Sequence, residues 1–325
     1  MFSVNHQKFM EMDELSLRKV PYFFIIDFLG EKVEIFKEHE IGKEGLQIDF
    51  QNFSTTETPL PLQKKVEWKS YPETLEHFKT GFDKVQKNIR FGNSYLANYT
   101  RKTRVETNLT LEEIFFHSSA KYKVLYKDFF VFFSPETFVK ITDGKISTYP
   151  MKGTIDATLD HAAEILKNDK KEKAEHYTVV DLLRNDLSMV ADDVRVDKFQ
   201  YIDFIKTRQK DLYAMSSEIS GTVKPEFSGK LGSLMKQLLP AGSILGAPKP
   251  KTLDIILEAE GYERGYYTGV CGWFDGENTD SCVMIRFIEK EGEALYFKSG
   301  GGITHMSRLE DEYQEMKNKI YVPIH

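Results

Sequence analysis

The 325-residue sequence predicts an α+β fold with mostly antiparallel sheets. Three observations carry this. Segments that alternate apolar and polar residues come in pairs. Segments with apolar residues three and four apart stand between the pairs instead of following each strand. The turns carry hairpin signals such as Asp143-Gly144.

Residues 1–70 read as a short strand-rich segment packed on the core, with two strands in 21–36 around Gly30 and a loop at 55–62, where Pro59 and Pro61 lie. Residues 71–90 are helical, because Leu75, Phe78, Phe82, Val85 and Ile89 share one face. Residues 95–105 alternate as a strand, 109–119 turn Leu111, Ile114 and Phe115 inward as a helix, and 123–133 form a buried strand pair. The hairpin of 138–141 and 145–149 follows, and then a long helix opens in the charged stretch 169–176 and runs through Leu187. Residues 194–205 and 212–223 are strands; 229–239 and 251–260 are helices joined by the small-residue stretch 240–249. Strands at 268–273, 282–288 and 294–298 precede a final helix over 307–320. No composition shift marks a boundary, so 71–325 is expected to form one unit intertwined with the first segment.

Composition narrows the function classes. Formal net charge is −6 and the sequence pI about 5.8, which argues against a general nucleic-acid partner. The longest apolar runs, 22–26 and 129–133, are far short of the ~20 residues of a spanning helix, and the N-terminal stretch lacks a signal peptide's apolar core. A cytoplasmic protein without a membrane role is the expectation. Only Cys271 and Cys282 are present, which rules out a disulfide framework or a cysteine-rich zinc site and leaves two free thiols.

Carboxylates are the first candidates for chemistry. On the last helix Glu312, Glu315 and Lys319 share a face, just after Lys298-Ser299-Gly300-Gly301-Gly302-Ile303, where three glycines between strand and helix permit close backbone approach to a ligand. A solvated face of ion pairs would carry the same residues. Together the features suit an anionic small molecule bridged to a hard cation such as magnesium. On the long helix Glu175, Val179, Leu182 and Asp186 fall on one stripe, and a carboxylate among core residues is costly unless paired or metal-bound. Acids at an exposed helix start are the plainer reading. In Pro150-Met151-Lys152-Gly153-Thr154, one lysine precedes a glycine that permits a sharp turn; held in a dry site beside a divalent cation, its amine can act as a nucleophile. Glu136 is the only acid between Asp128 and Asp143, and desolvation would suit it to general-acid work. The stretch 240–249 offers backbone N–H groups to an anion, but it lacks Walker spacing.

In this order, VVDLLRND (179–186), GSILGAPK (242–249), RGYYTGVCGW (264–273) and SGGGI…EDEYQEM (299–316) resemble the chorismate-utilising enzymes, which include component I of the aminodeoxychorismate and anthranilate synthases and the isochorismate and salicylate synthases. The resemblance spans about Tyr71 to Lys319. It implies antiparallel sheets packed together with helices on the outside. It also implies a magnesium ion held by Glu175 and Glu315, with Glu312 and Glu172 through water. Arg286, Tyr267, Lys319 and the backbone of Gly153, Thr154, Gly300 and Gly302 are implied to hold the carboxylates of chorismate, with Ser243 lining the pocket. Lys152 would be the nucleophile and Glu136 the acid.

Three positions discriminate among activities. Leu96 stands where the water-activating enzymes carry lysine, and an apolar side chain accepts no proton. Lys152 stands where anthranilate synthases have alanine, and the Pro-x-Lys-Gly-Thr form is similar to the aminodeoxychorismate synthases. The segment 1–70 looks too small for a tryptophan-binding regulatory region. Ala214 departs from the family, which often has histidine there, so either Tyr213 substitutes or Glu136 manages alone; Met151 replaces the usual isoleucine. The expectation is conversion of chorismate and ammonia, supplied by a glutamine amidotransferase partner, to 4-amino-4-deoxychorismate for 4-aminobenzoate and folate. Anthranilate synthesis is the alternative, and a non-catalytic binding or scaffold protein is another.

Overall fold

Strands rich in aromatic and β-branched residues assemble into two sheets, and every strand pairing in them is antiparallel. The chain is described from a computed structural model, which covers residues 4–43, 45–56, 61–205 and 211–324. The first sheet runs Met151–Asp156, Leu212–Val223, Lys145–Thr148, Thr137–Thr142, Thr279–Val283, Val270–Phe274, Tyr22–Ile26 and Val33–Lys37, and Ala191–Ile205 also pairs with Leu212–Val223. The second runs Gly246–Ala247, Leu96–Thr107, Ala294–Ile303, Phe287–Glu291, Phe130–Ser134, Tyr122–Tyr126 and Leu46–Phe50, with Trp68–Tyr71 also on Leu96–Thr107.

The sheets share one apolar layer. Phe23 and Ile25 of the first meet Leu46, Ile48, Phe50, Tyr122 and Phe132 of the second, and the Phe23 and Phe50 rings lie edge to face at 5.6 Å. A second cluster covers the opposite faces with helices: Phe24 and Ile26 with Phe9 and Met12, and Tyr99 and Phe297 with Phe78, Phe82 and Val85. Tyr22–Ile26, Tyr122–Tyr126 and Phe130–Ser134 are buried at every position, which explains why the first and last read as nearly continuous apolar runs without alternation. The expected architecture of packed antiparallel sheets with helices outside is the one observed.

Several local expectations are corrected. The strand-rich first segment opens with a helix, His6–Leu17, capped by the Asn5 side chain on the Lys8 N–H. Its buried positions Phe9, Met12 and Leu15 form a narrow stripe, too weak to compete with the charges around it. The rest of that segment adds strands to both sheets. Gly153 makes a bulge inside strand Met151–Asp156, with φ +70°, where the sequence predicts a sharp turn. Gly300, Gly301 and Gly302 lie within strand Ala294–Ile303, opposite Thr100, Tyr99 and Asn98. A Cβ at Gly300 would fall 2.2 Å from Tyr99 O, so strand contact demands this glycine whatever ligand approaches. The 240–249 stretch contains the short helix Gly242–Leu245 and the strand Gly246–Ala247, with Gly246 at φ +116° against Leu96. A Cβ at Gly242 would fall 2.5 Å from Asp186 Oδ2, so a carboxylate already stands at the start of this short helix. Residues 57–60 of the predicted loop, Pro59 included, lie outside the described residues.

Candidate active site

The bulge at Gly153 presses the Lys152 strand onto helix Lys170–Val190. A Cβ at Gly153 would sit 2.8 Å from Glu172 Oε2, which leaves room only for hydrogen. That helix starts at Asp169, whose side chain accepts from the Glu172 N–H at 2.9 Å. The expected stripe is present: Glu175 is half-buried, Val179 and Leu182 are in the core, and Asp186 is buried in an ion pair with Lys249 at 2.9 Å. Burial raises Asp186 and lowers Lys249, each against the pull of the other. The pair therefore tethers the Ser243 loop to the long helix.

Lys152 reaches the Gly302 backbone from the other sheet. A Cβ at Gly302 would lie 3.0 Å from Leu96 Cδ1 and 3.6 Å from Lys152 Nζ, so amine and leucine converge on the same glycine. Glu136 completes this corner. Its Oε1 accepts from Ser243 Oγ at 2.5 Å, and its backbone N–H donates to Ser134 Oγ at 3.1 Å. Desolvation holds the Glu136 carboxyl above the usual range, while the Ser243 hydrogen bond and the charges of Lys152 and Lys319 pull it back. Ser134-Pro135-Glu136 links strand Phe130–Ser134 of one sheet to Thr137–Thr142 of the other, which places the carboxyl where the sheets meet.

The last helix, Leu309–Asn318, brings the remaining candidates. A Cβ at Gly301 would lie 3.1 Å from Glu315 Oε1 and 3.4 Å from Glu312 Oε2. Ser307 Oγ donates to Glu312 Oε1 at 2.7 Å. Lys319 Nζ donates to Glu315 Oε1 and to Gly300 O, both at 2.7 Å. Burial lowers Lys319; Glu315 opposes this, and Arg286 and Lys152 reinforce it. Arg286, at φ +56°, donates to Lys319 O at 3.2 Å. Tyr267 is buried with its hydroxyl pushed upward by desolvation, partly relieved by Arg264 and Arg286. Thr154 is exposed beside Gly153. Lys152 and Lys319 lie close enough to pull on Glu136, and Arg286 close enough to act on Lys319, so cationic charge gathers at this corner, as a dianionic small molecule would need.

Glu312 and Glu315 meet at Gly301, and Glu172 stands at Gly153. Among the described residues no group of three or more His, Cys, Asp and Glu side chains gathers closely enough to hold a metal alone. The oxygen-only donors match a hard cation, and magnesium commonly takes one or two carboxylates with water and substrate filling the rest.

One feature escapes the sequence. His176, fully buried, bonds Ser217 Oγ through Nε2 at 2.7 Å, and burial, reinforced by Lys152, pushes it down to about 4. Only the fold could reveal this contact, because its partner is 41 residues away. Cys271 and Cys282 face each other across adjacent strands as free thiols, Sγ to Sγ 3.5 Å. Ala214 is buried opposite Thr154, while the Tyr213 ring packs on Phe204 at 5.8 Å.

Comparison with known proteins places this geometry. An "Uncharacterized PabA-like protein" of Haemophilus influenzae is 47% identical over 98% of this chain and 97% of its own length. A protein of the same description from Pasteurella multocida is 46% identical, over 98% and 99%. Anthranilate synthase component 1 of Saccharomyces cerevisiae is 35% identical over 58% of this chain and 38% of its own. Among solved structures, the menaquinone-specific isochorismate synthase MenF of Escherichia coli shares the fold with a TM-score of 0.75 at 17% identity, covering 98% of this chain and 81% of that one. No described helix is long and apolar enough to cross a membrane. The profile of the chorismate binding enzymes matches residues 6–325, nearly the whole chain, and the protein belongs to that family.

Proposed function

We propose that the protein converts chorismate and ammonia to 4-amino-4-deoxychorismate through a covalent adduct on Lys152. The observation that carries this reading is the convergence of Lys152 Nζ and Leu96 on Gly302, with the Glu136 carboxyl under the same lysine's charge. An amine would thus meet the ring beside an apolar side chain that cannot activate water.

Arg286, Lys319 and Tyr267, with the backbone of Gly153, Thr154, Gly300 and Gly302, bind the carboxylates, and bidentate pairing at Arg286 orients the ring. The amine of Lys152 attacks carbon 2. The ring double bonds shift, and the carbon 4 hydroxyl departs as water with a proton from Glu136. Ammonia then adds at carbon 4, the double bonds shift back, and the carbon 2 to nitrogen bond breaks to return Lys152; the proton lost by the added nitrogen restores Glu136. Ser243 holds the Glu136 carboxyl in line throughout. Glu175 and Glu315, with Glu312 and Glu172, would hold magnesium, whose charge would favour the ring carboxylate and the electron density reaching it. A glutamine amidotransferase supplies the ammonia, in keeping with the PabA-like description of the two nearly full-length relatives.

Anthranilate synthesis is the second reading, favoured by the relatives of that description. Incubation of the protein with chorismate, magnesium and ammonium, with products identified by mass, separates the two. Retention of the enolpyruvyl group in an aminated product is expected. Anthranilate, isochorismate or salicylate as main product, or no product, overturns the proposal.

A further inference from the structure

Ser243 and Glu136 come from segments 107 residues apart, and their contact depends on the position of a short loop. Arg264 holds that loop. Its side chain is only 1% exposed, and its contacts match the five N–H donors of a guanidinium. Nε and NH2 pair with both oxygens of Glu260 at 2.9 and 2.6 Å. NH1 donates to Ile244 O at 3.0 Å and Thr268 Oγ1 at 3.2 Å, and NH2 donates to Asn98 O at 2.6 Å. These three acceptors lie on three separate segments, each beside a candidate site residue. Ile244 follows Ser243, Thr268 follows Tyr267, and Asn98 is the strand partner of Gly302. Both clamp partners are themselves anchored: Glu260 Oε1 accepts from Thr100 N and Oγ1 at 2.8 Å, and Lys298 Nζ donates to Arg264 O at 2.9 Å.

A buried ion pair is weak evidence for stability alone, since desolvation offsets much of its attraction. What distinguishes this one is the number of directions it serves. A lysine has three donors from one point and cannot reach the same set. We propose that Arg264, oriented by Glu260, is a positioning residue that clamps the Ser243 loop to strand Leu96–Thr107 and thereby sets the Ser243 hydroxyl on Glu136. The inference rests on the reading of Glu136 as the acid of the reaction, but the contact itself is measurable without turnover.

The test is a titration of the Glu136 carboxyl by NMR in protein labelled with 13C-glutamate, with Glu136→Gln identifying the signal. Lys152, Lys319 and the Cys282 thiol also face this carboxyl and stay unchanged in every variant. Ser243 favours the charged form, so Ser243→Ala raises the midpoint. Arg264→Lys is expected to raise it in the same direction, and the double variant to add nothing further. Turnover of chorismate should fall roughly 10- to 100-fold in Arg264→Lys with KM unchanged. A folded Arg264→Lys protein with the wild-type midpoint, or additive shifts in the double variant, overturns the clamp. Should Arg264→Lys fail to fold, Glu260→Gln decides by the same titration: an upward shift supports the clamp, an unmoved midpoint refutes it. Wild-type protein without turnover but with these shifts would sink the proposed reaction and leave the clamp standing.

Discussion

Lys152 stands between an apolar side chain and two further cations. Leu96 packs at the glycine that Lys152 approaches, and Lys319 and Arg286 border the same space. On the proposed reading the leucine would keep water off the line of attack, and the cations would draw a dianionic ligand to the amine. Lys152→Ala is therefore expected to cut turnover by roughly three orders of magnitude or more while leaving the fold intact. Mass spectrometry of protein quenched with chorismate should show an adduct in the wild type and none in this variant. Burial raises the Glu136 carboxyl. If it is the acid of the proposed reaction it works protonated, so activity is expected to persist above the ordinary carboxylate range and to fall as pH rises through its midpoint. A pH profile of turnover in the wild type measures that limb.

The Ser243 loop is short and held from two sides, by Arg264 and by the Asp186–Lys249 pair. Asp186 is buried and Lys249 largely so, with side chains 9% and 17% exposed. Removal of one partner strands the other charge in a dry environment. Lys249→Met is expected to cost about 3–5 kcal/mol of stability, and Asp186→Asn added to it should recover part of that loss. Chemical denaturation of the single and double variants measures the difference. Equal stability of Lys249→Met and wild type would show that the pair holds nothing in place.

The N-terminal segment, residues 1–70, gives the molecule its closure. Strands Tyr22–Ile26, Val33–Lys37, Leu46–Phe50 and Trp68–Tyr71 extend both sheets, and helix His6–Leu17 lies on helix Leu231–Leu238. The helices touch through glycine: a Cβ at Gly232 would fall 1.9 Å from Phe9 O. No rotamer relieves that contact. Gly232→Ala is expected to push the helices apart and lower stability by about 1–3 kcal/mol, with urea denaturation as the measure. If stability instead rises through the gain in helix propensity, the helices do not meet at this glycine.

Fold class and most of the strands and helices were legible from the chain alone, but the opening helix His6–Leu17 was not. Hairpin turns, periodicity and ordered motifs are local properties, written in neighbouring residues. The carboxylate stripe through Glu175 and Asp186 and the Glu312, Glu315, Lys319 face follow directly from helix geometry. Tertiary structure decided the rest. Whether three glycines make a turn or a strand depends on Tyr99 and Thr100, distant along the chain and brought near only by strand pairing. Which carboxylate stripe member is consumed by a lysine, and which histidine is buried against a serine, depends on loops packing across sheets. Arg264 shows the limit most plainly: five donors and five acceptors on four segments are invisible to periodicity, because burial cost and hydrogen-bond geometry are set by neighbours in space, not along the chain.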